Sequence, residues 1–235
     1  MVWLHGWGQD KQSFSRIASL FKKAGPHTLY DFPGFGDTPM LDDGAGTREY
    51  AAALKDQLDT IGKGPFIIIG HSFGGRVAIQ MAAHYPDLIK AIVLIGGAGL
   101  KRKRSLIFKC RALILRCLGK LAKRCDTLFS TNLRALYAQR FGSADYKAAG
   151  DLRATFVNVV NEDLVSEASM VKCPALMLYG EMDTEAPPEI GKKYACLIKN
   201  GTYTELQGFG HLDILHNGAY QCHAIIDDFI KELDS

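Results

Sequence analysis

The sequence predicts an α/β fold with a doubly wound, mostly parallel sheet, and three observations carry this prediction. Short apolar runs alternate with segments of helical period over residues 1–99 and again after residue 164. The 235 residues fit one globular domain, and the 47% hydrophobic and 23% charged fractions are typical of a folded soluble protein. A glycine-flanked serine, Ser72, lies between a predicted strand and a predicted helix.

The predicted strands are short apolar runs, most of them bounded by glycine or proline. The run before Ser72 has three consecutive isoleucines, and β-branched residues of this kind favour buried strands. In chain order the predicted strands are 2–4, 28–32, 66–69, 91–95, 175–179 and 202–206. Because helices separate them, the strands should lie parallel with right-handed crossovers.

The predicted helices show apolar residues at intervals of three and four. The first spans 13–23 and is stopped by Ala24-Gly25-Pro26. The second spans 47–61, with Thr47 as its candidate cap. Three more helices are predicted. One begins at residue 77, and the other two span 188–197 and 220–233.

The alternation of strands and helices is interrupted between residues 100 and 164. This segment has helical periodicity and no convincing strand. It is therefore predicted to be a helical cap inserted after the strand at 91–95. On this interpretation, residues 1–99 and 165–235 form the core.

The motif around Ser72 predicts a nucleophile on a sharp strand-to-helix turn. Side chains at Gly70 and Gly74 would collide with the neighbouring backbone in such a turn. The following helix points its amino terminus, and so its positive dipole end, toward the serine. That arrangement favours an anion that develops during acyl transfer.

A nucleophilic serine needs a base and a group that orients the base. Two loops at the carboxyl ends of predicted strands supply them, with Asp183 as the acid and His211 as the base. Glu181 and Asp213 are weaker candidates for the acid. The oxyanion formed during the reaction needs two N–H donors, which are predicted to be the backbones of Trp7 and Phe73.

Several motifs together resemble the α/β-hydrolase fold family, in particular its capped carboxylesterase-like serine hydrolases. They are His5-Gly6-Trp7-Gly8, Asp31-Phe32-Pro33-Gly34-Phe35-Gly36, Gly70-His71-Ser72-Phe73-Gly74-Gly75, Gly180-Glu181-Met182-Asp183 and Gly208-Phe209-Gly210-His211. The resemblance covers nearly the whole chain outside the cap and implies the same triad and oxyanion donors. It departs from the family in starting without the antiparallel hairpin that usually precedes the first strand. Candidate substrate-binding residues are His5, Phe108 and Phe209.

These features predict a hydrolase that cleaves carboxylic esters of short to medium acyl chains through an acyl-enzyme intermediate, without cofactor or metal. A lactonase or a C–C bond hydrolase with the same triad is the alternative. A hypothesis of another class is a non-catalytic ligand-binding or membrane-associated protein on a hydrolase scaffold.

The charge and the cysteine content limit which partners are expected. The net charge is +3, but residues 101–124 carry ten Lys and Arg and no acid. This basic segment is expected to make at most weak contact with an anionic surface, and no nucleic-acid partner is expected. The six cysteines show no zinc-like spacing, and neither a signal peptide nor a membrane span is recognisable, so a cytoplasmic monomer or homodimer is predicted.

Overall fold

The described strands of the computed structural model form one six-stranded parallel sheet in the order β2-β1-β3-β4-β5-β6. The structure describes residues 1–21, 25–62, 64–102, 106–129, 131–133, 136, 140 and 143–233, without the side chains of 106–112 and 116. The strands are β1 (Val2–Leu4), β2 (Thr28–Tyr30), β3 (Phe66–His71), β4 (Ile89–Ile95), β5 (Ala175–Gly180) and β6 (Gly201–Leu206). The parallel α/β fold predicted from the sequence is therefore confirmed.

The helices alternate with these strands and also fill the segment between β4 and β5. They are α1 (Ser15–Ala18), α2 (Thr47–Ile61), α3 (Phe73–His84), α4 (Leu106–Phe129), α5 (Ala144–Ala148), α6 (Arg153–Asn161), α7 (Val165–Met170), α8 (Pro188–Leu197), α9 (Asp213–His216) and α10 (Ala219–Glu232). Short 3-10 turns occupy Lys11–Phe14, Pro86–Leu88 and Gly150–Leu152.

Helices cover both faces of the sheet because successive strand side chains point to opposite faces. In β3, Ile68 belongs to the apolar cluster under α2, α3 and α8, whereas Ile69 belongs to the cluster under α1 and α10. Trp3 of β1 lies in the second cluster and is almost fully buried. The sheet is thus doubly wound.

Two predicted helical features differ from the structure. The helix predicted over 13–23 is a 3-10 turn at Lys11–Phe14 followed by the short α1, and residues 22–24 lie outside the described chain. The cap of α2 is Gly46 rather than Thr47, because the Glu49 carboxylate accepts the Gly46 N–H at 2.8 Å. Thr47 is the first helical residue, and its hydroxyl donates to Glu162 at 2.6 Å.

The segment between β4 and β5 leaves and rejoins the core at one point. The Leu164 N–H donates to the Gly99 carbonyl at 2.9 Å. Nearby, Arg76 of α3 donates to the Val159 carbonyl of α6 at 2.8 Å. These contacts fit a cap over 100–164, and that division of the chain stays a prediction. Among the helices of the described residues, none is long and apolar enough to span a membrane.

Candidate active site

Ser72 lies between β3 and α3 in a strained backbone conformation, with φ 48° and ψ −106°. Among the described residues it is the only non-glycine with a positive φ. Such a conformation costs about 1–3 kcal/mol and persists only when the surroundings enforce it. The helix begins at Phe73, directly after the serine and not at Val77 as the sequence suggests, so its amino terminus lies against Ser72.

Close backbone packing enforces this turn. A Cβ atom on Gly70 would lie 2.4 Å from the Gly74 carbonyl, and a Cβ on Gly74 would lie 2.1 Å from the Leu4 carbonyl oxygen. Neither distance is compatible with a side chain. The two glycines are therefore required by packing, as the sequence predicts.

His211 and Asp183 meet in the loops that follow β6 and β5. The His211 Nδ1 atom lies 2.7 Å from Asp183 Oδ2, and both side chains are buried. The other carboxylate oxygen accepts the N–H groups of Glu185 and Ala186 at 2.9 and 2.8 Å. Because a carboxylate only accepts hydrogen bonds, the neutral form of the ring carries its proton on Nδ1 and its lone pair on Nε2.

A glycine turn after β4 brings Ser72 and the His211–Asp183 pair to one place. The Ser72 N–H donates to the Ile95 carbonyl at 3.2 Å. A Cβ atom on the next residue, Gly96, would lie 3.0 Å from Asp183 Oδ2 and 3.2 Å from His211 Nδ1. A side chain at this position would therefore crowd the pair.

The side chain of His71 packs against the loop that carries His211. It is completely buried, its Nε2 lies 3.0 Å from the His211 carbonyl oxygen, and the two rings are 4.6 Å apart. Burial, followed by the charge of His211, lowers the pKa of His71 to about 3. His71 is therefore neutral near pH 7 and is not suited to act as a general base.

The two predicted oxyanion donors lie on either side of an aromatic contact. The Trp7 and Phe73 rings are 5.5 Å apart in an edge-to-face arrangement. Within the described chain, neither backbone N–H donates a hydrogen bond. Both donors are thus available to a ligand atom.

Two of the cavities lie near the site, one beside the Trp7 loop and one beside Ala98 and Glu185. The first cavity has a volume of about 320 Å³. Its apolar part is formed by Trp7, Phe35, Met40 and Leu152, and Asp145 and Asp151 also line it. The other, of about 490 Å³, is lined by Ala98, Arg102 and Glu185 among other residues. The first cavity lies between the Trp7 loop and the segment predicted as the cap, since Leu152 belongs to that segment.

The structure describes the side chains of two of the three predicted substrate-binding residues, His5 and Phe209. His5 is fully buried, with Nδ1 2.7 Å from the Gly6 carbonyl and Nε2 accepting the Phe32 N–H at 3.1 Å. Both ring nitrogens hold the loop before Trp7, and the role of His5 as a substrate contact stays a prediction. Phe209 is partly buried and packs against the apolar cluster under α1 and α10, so its role also stays a prediction. The side chain of Phe108 lies outside the described residues.

Glu185 is a neighbour of the site that sequence reasoning missed. Its carboxylate lies 3.6 Å from His211 Nε2, and 65% of the side chain is exposed. Its position two residues after Asp183 is the only sequence signal for it. The weaker acid candidates lie elsewhere, since Glu181 accepts the Gly208 N–H and Asp213 is bonded to Asn217.

The described residues contain no group of three or more His, Cys, Asp and Glu side chains that could hold a metal ion. At the site, the described residues offer a carboxylate, an imidazole and backbone N–H groups. An acyl group could be attacked by Ser72 while His211 accepts the proton.

A comparison with protein families agrees with this geometry. The model of the Alpha/beta hydrolase family matches residues 1–219. Over a short stretch of 96 residues, the chain is 38% identical to a "Putative esterase/lipase 2" of Mycoplasma genitalium and covers 36% of that protein.

Longer matches have lower identity. A "Pimeloyl-[acyl-carrier protein] methyl ester esterase" of Neisseria meningitidis is 24% identical over 97% of this chain and 75% of its own length. A "2-hydroxy-6-oxononadienedioate/2-hydroxy-6-oxononatrienedioate hydrolase" of Burkholderia vietnamiensis is 26% identical over 89% of this chain and 78% of its own. The crystal structure of an enol-lactonase from Burkholderia xenovorans has a TM-score of 0.73 at 20% identity, covering 98% and 88% of the two chains, and shows the shared fold.

Proposed function

Because the chain belongs to the Alpha/beta hydrolase family, we propose that it is a serine hydrolase that cleaves carboxylic esters of short to medium acyl chains. Ser72 is the nucleophile, His211 the base and Asp183 the group that orients the base. The backbone N–H groups of Trp7 and Phe73 form the oxyanion hole.

One observation carries the proposal. The buried His211 Nδ1 lies 2.7 Å from Asp183 Oδ2, beside the glycine turn that also contacts the Ser72 backbone. A structural histidine at this place would not need a carboxylate fixed by two further N–H bonds. A general base does, because the fixed carboxylate keeps its Nε2 atom free to accept a proton.

The reaction follows in two halves. The Ser72 hydroxyl oxygen attacks the ester carbonyl and gives its proton to His211 Nε2, and the two N–H donors hold the resulting oxyanion. The intermediate collapses as His211 returns the proton to the departing alcohol, which leaves an acyl-serine. Water then attacks the acyl-serine by the same route and releases the acid. The exposed Glu185 carboxylate must turn away from Nε2 when the substrate enters.

The acyl chain is assigned to the cavity of about 320 Å³ beside Trp7. Its apolar part is formed by Phe35, Met40 and Leu152 together with the indole of Trp7. A cavity of this size suits a short or medium chain and sits at the low end for ligand pockets. The esterase name of the Neisseria relative supports the ester as the bond that is cleaved.

The proposal is tested with p-nitrophenyl esters from acetate to decanoate. The wild type should hydrolyse the shorter esters, and Ser72→Ala should reduce kcat/KM at least about 10⁴-fold. Ser169→Ala is the matched control, because that hydroxyl donates to the Val165 carbonyl on an exposed face of α7. Equal rates in wild type and Ser72→Ala would show that the hydrolysis does not use Ser72.

A second candidate is a lactonase or a C–C bond hydrolase that uses the same residues. The name of the Burkholderia vietnamiensis relative favours it, since that protein is a hydrolase of an oxo-dienedioate. A panel of one neutral ester, one lactone and one anionic dicarbonyl compound separates the candidates. A kcat/KM that is highest for the dicarbonyl compound or the lactone would replace the esterase assignment.

A non-catalytic scaffold is the remaining hypothesis. The contact between His211 Nδ1 and the Asp183 carboxylate argues against a non-catalytic scaffold, because ligand binding alone does not require a base with a fixed tautomer. Fluorophosphonate labelling of Ser72 separates this hypothesis from the other two, because a scaffold without an activated serine does not react with the probe.

A further inference from the structure

Helix α4 has an exposed apolar stripe that the proposed reaction does not use. The helix spans Leu106–Phe129 and lies in the segment predicted as the cap. Large apolar side chains of its described part are strongly exposed: Leu113 61%, Ile114 60%, Leu118 46%, Leu121 54%, Leu128 74% and Phe129 72%. Exposed apolar residues in a continuous set of this kind mark an interaction surface.

The exposed side chains share one side of the helix. Ile114, Leu118, Leu121 and Leu128 are separated by three, four or seven positions, which places them along a single line. The exposed cations Lys120 and Lys123 lie outside this line. The described part of α4 is thus amphipathic, with its apolar side in contact with solvent rather than with the sheet.

Apart from Asp126, the charged residues of α4 are all cations. Residues 101–124 carry ten Lys and Arg and no acid, so the whole excess of positive charge in the chain comes from this segment. A protein core or a second apolar helix offers no counter-charge for so many cations. An anionic lipid surface offers both an apolar layer for leucine side chains and phosphate groups for lysine and arginine.

We propose that the apolar stripe of α4, formed by Ile114, Leu118, Leu121 and Leu128, lies on an anionic lipid surface. The helix axis lies in the plane of the interface. The isoleucine and leucine side chains enter the boundary between headgroups and acyl chains, while Lys120 and Arg124, which flank the stripe, contact the lipid phosphates.

The test is co-sedimentation with vesicles of phosphatidylcholine, with and without phosphatidylglycerol. The wild type should bind the vesicles that contain phosphatidylglycerol at least about tenfold more strongly, and added salt should weaken the binding. The double variant Leu118→Asp/Leu121→Asp should lose at least about tenfold in partitioning, since two apolar side chains no longer enter the interface. Lys120→Glu/Arg124→Glu should lower binding to the anionic vesicles alone.

Matched controls lie on other exposed positions. Met170→Asp and Ile61→Asp replace apolar residues with exposures of 45% each, close to the 46% of Leu118, but outside α4. Both controls should bind like the wild type. Equal loss in the controls and in the α4 variants, or equal binding to both kinds of vesicle, would overturn the proposal.

A second copy of the chain is the other occupant that the test can reveal. Light scattering would then show a dimer that Leu118→Asp/Leu121→Asp converts to a monomer, without vesicle binding by the wild type. That result would overturn the lipid proposal. Hydrolysis of a water-soluble ester is measured on every variant and should not change, so failure here is distinguishable from failure of the proposed function.

Discussion

The Asp183 carboxylate is fixed through both of its oxygens, and His211 is held by one of them. Oδ2 lies 2.7 Å from His211 Nδ1, and Oδ1 accepts two backbone N–H groups at 2.9 and 2.8 Å. An aspartate anchored in this way cannot rotate away from the imidazole. The proposed chemistry therefore depends on Asp183 for orientation and on His211 for proton transfer.

Replacing this carboxylate should separate orientation from folding. Asp183→Asn keeps the shape of the side chain but offers His211 the wrong hydrogen-bonding partner, so kcat should fall about 10⁴-fold with little change in KM. Steady-state kinetics on a short p-nitrophenyl ester measure the change. The control is Glu181→Gln, whose amide oxygen can still accept the Gly208 N–H. If Glu181→Gln were the more damaging variant, the acid would be assigned wrongly.

The turn around Ser72 should not tolerate a methyl group at Gly74. Its Cβ would lie 2.1 Å from the Leu4 carbonyl oxygen, and a backbone atom cannot move aside cheaply. Gly74→Ala should lower the free energy of unfolding by about 3 kcal/mol or more. Urea denaturation measures this, with Gly210→Ala as control, since a Cβ on Gly210 would meet no atom within 4 Å. Equal stability of the two variants would refute the packing argument.

Buried His71 should make stability depend on pH. Its pKa is lowered from 6.5 to about 3, so below pH 6.5 the unfolded chain binds a proton that the folded protein does not. The free energy of unfolding is therefore complete above pH 6.5 and falls toward pH 3, by up to about 1.4 kcal/mol per pH unit.

His71→Gln removes this contribution. Between pH 6.5 and 5.0, the stability advantage of the wild type over the variant should shrink by about 1.5 to 2 kcal/mol, as measured by urea unfolding. The comparison is made as a difference, because burial also lowers the pKa of His5 and gives both proteins a change of the same sign. Parallel curves for wild type and His71→Gln would contradict the lowered pKa.

The indole of Trp7 should limit the length of the acyl chain. It packs against Phe35 and Phe156 with ring centroids 5.0 and 5.1 Å apart and forms one wall of the apolar cavity. Trp7→Ala keeps the backbone N–H while enlarging the cavity, so kcat/KM for octanoate relative to butyrate should rise about tenfold. A chain-length profile that is unchanged in the variant would place the acyl group elsewhere.

Local patterns allowed the alternating elements to be predicted from the sequence. The helix predicted over 47–61 has those bounds in the structure because its apolar face is a local feature, although its cap is Gly46 and not Thr47. Strand ends differ from the apolar runs because pairing and not composition decides where a strand ends. For example, β3 extends as far as His71, which pairs with Ile95 of β4, whereas β2 ends at Tyr30, before the predicted residue 32.

Contacts between distant segments could not be predicted in the same way. His5 was assigned to the substrate, yet its nitrogens bind the Gly6 carbonyl and the Phe32 N–H, and the second partner depends on how β1 lies beside β2. The loops that carry Asp183 and His211 could be predicted because parallel strands end at one edge of the sheet. The position of Glu185 against Nε2 depends on the packing of those two loops.

Fluorophosphonate labelling of Ser72 tests the central claim most directly, because only an activated serine beside a base and an oxyanion hole reacts with the probe. We expect one labelled peptide, containing Ser72, with labelling lost in Ser72→Ala and His211→Asn and retained in Ser169→Ala. Absence of labelling in the folded wild-type protein, or a label on another serine, would contradict it.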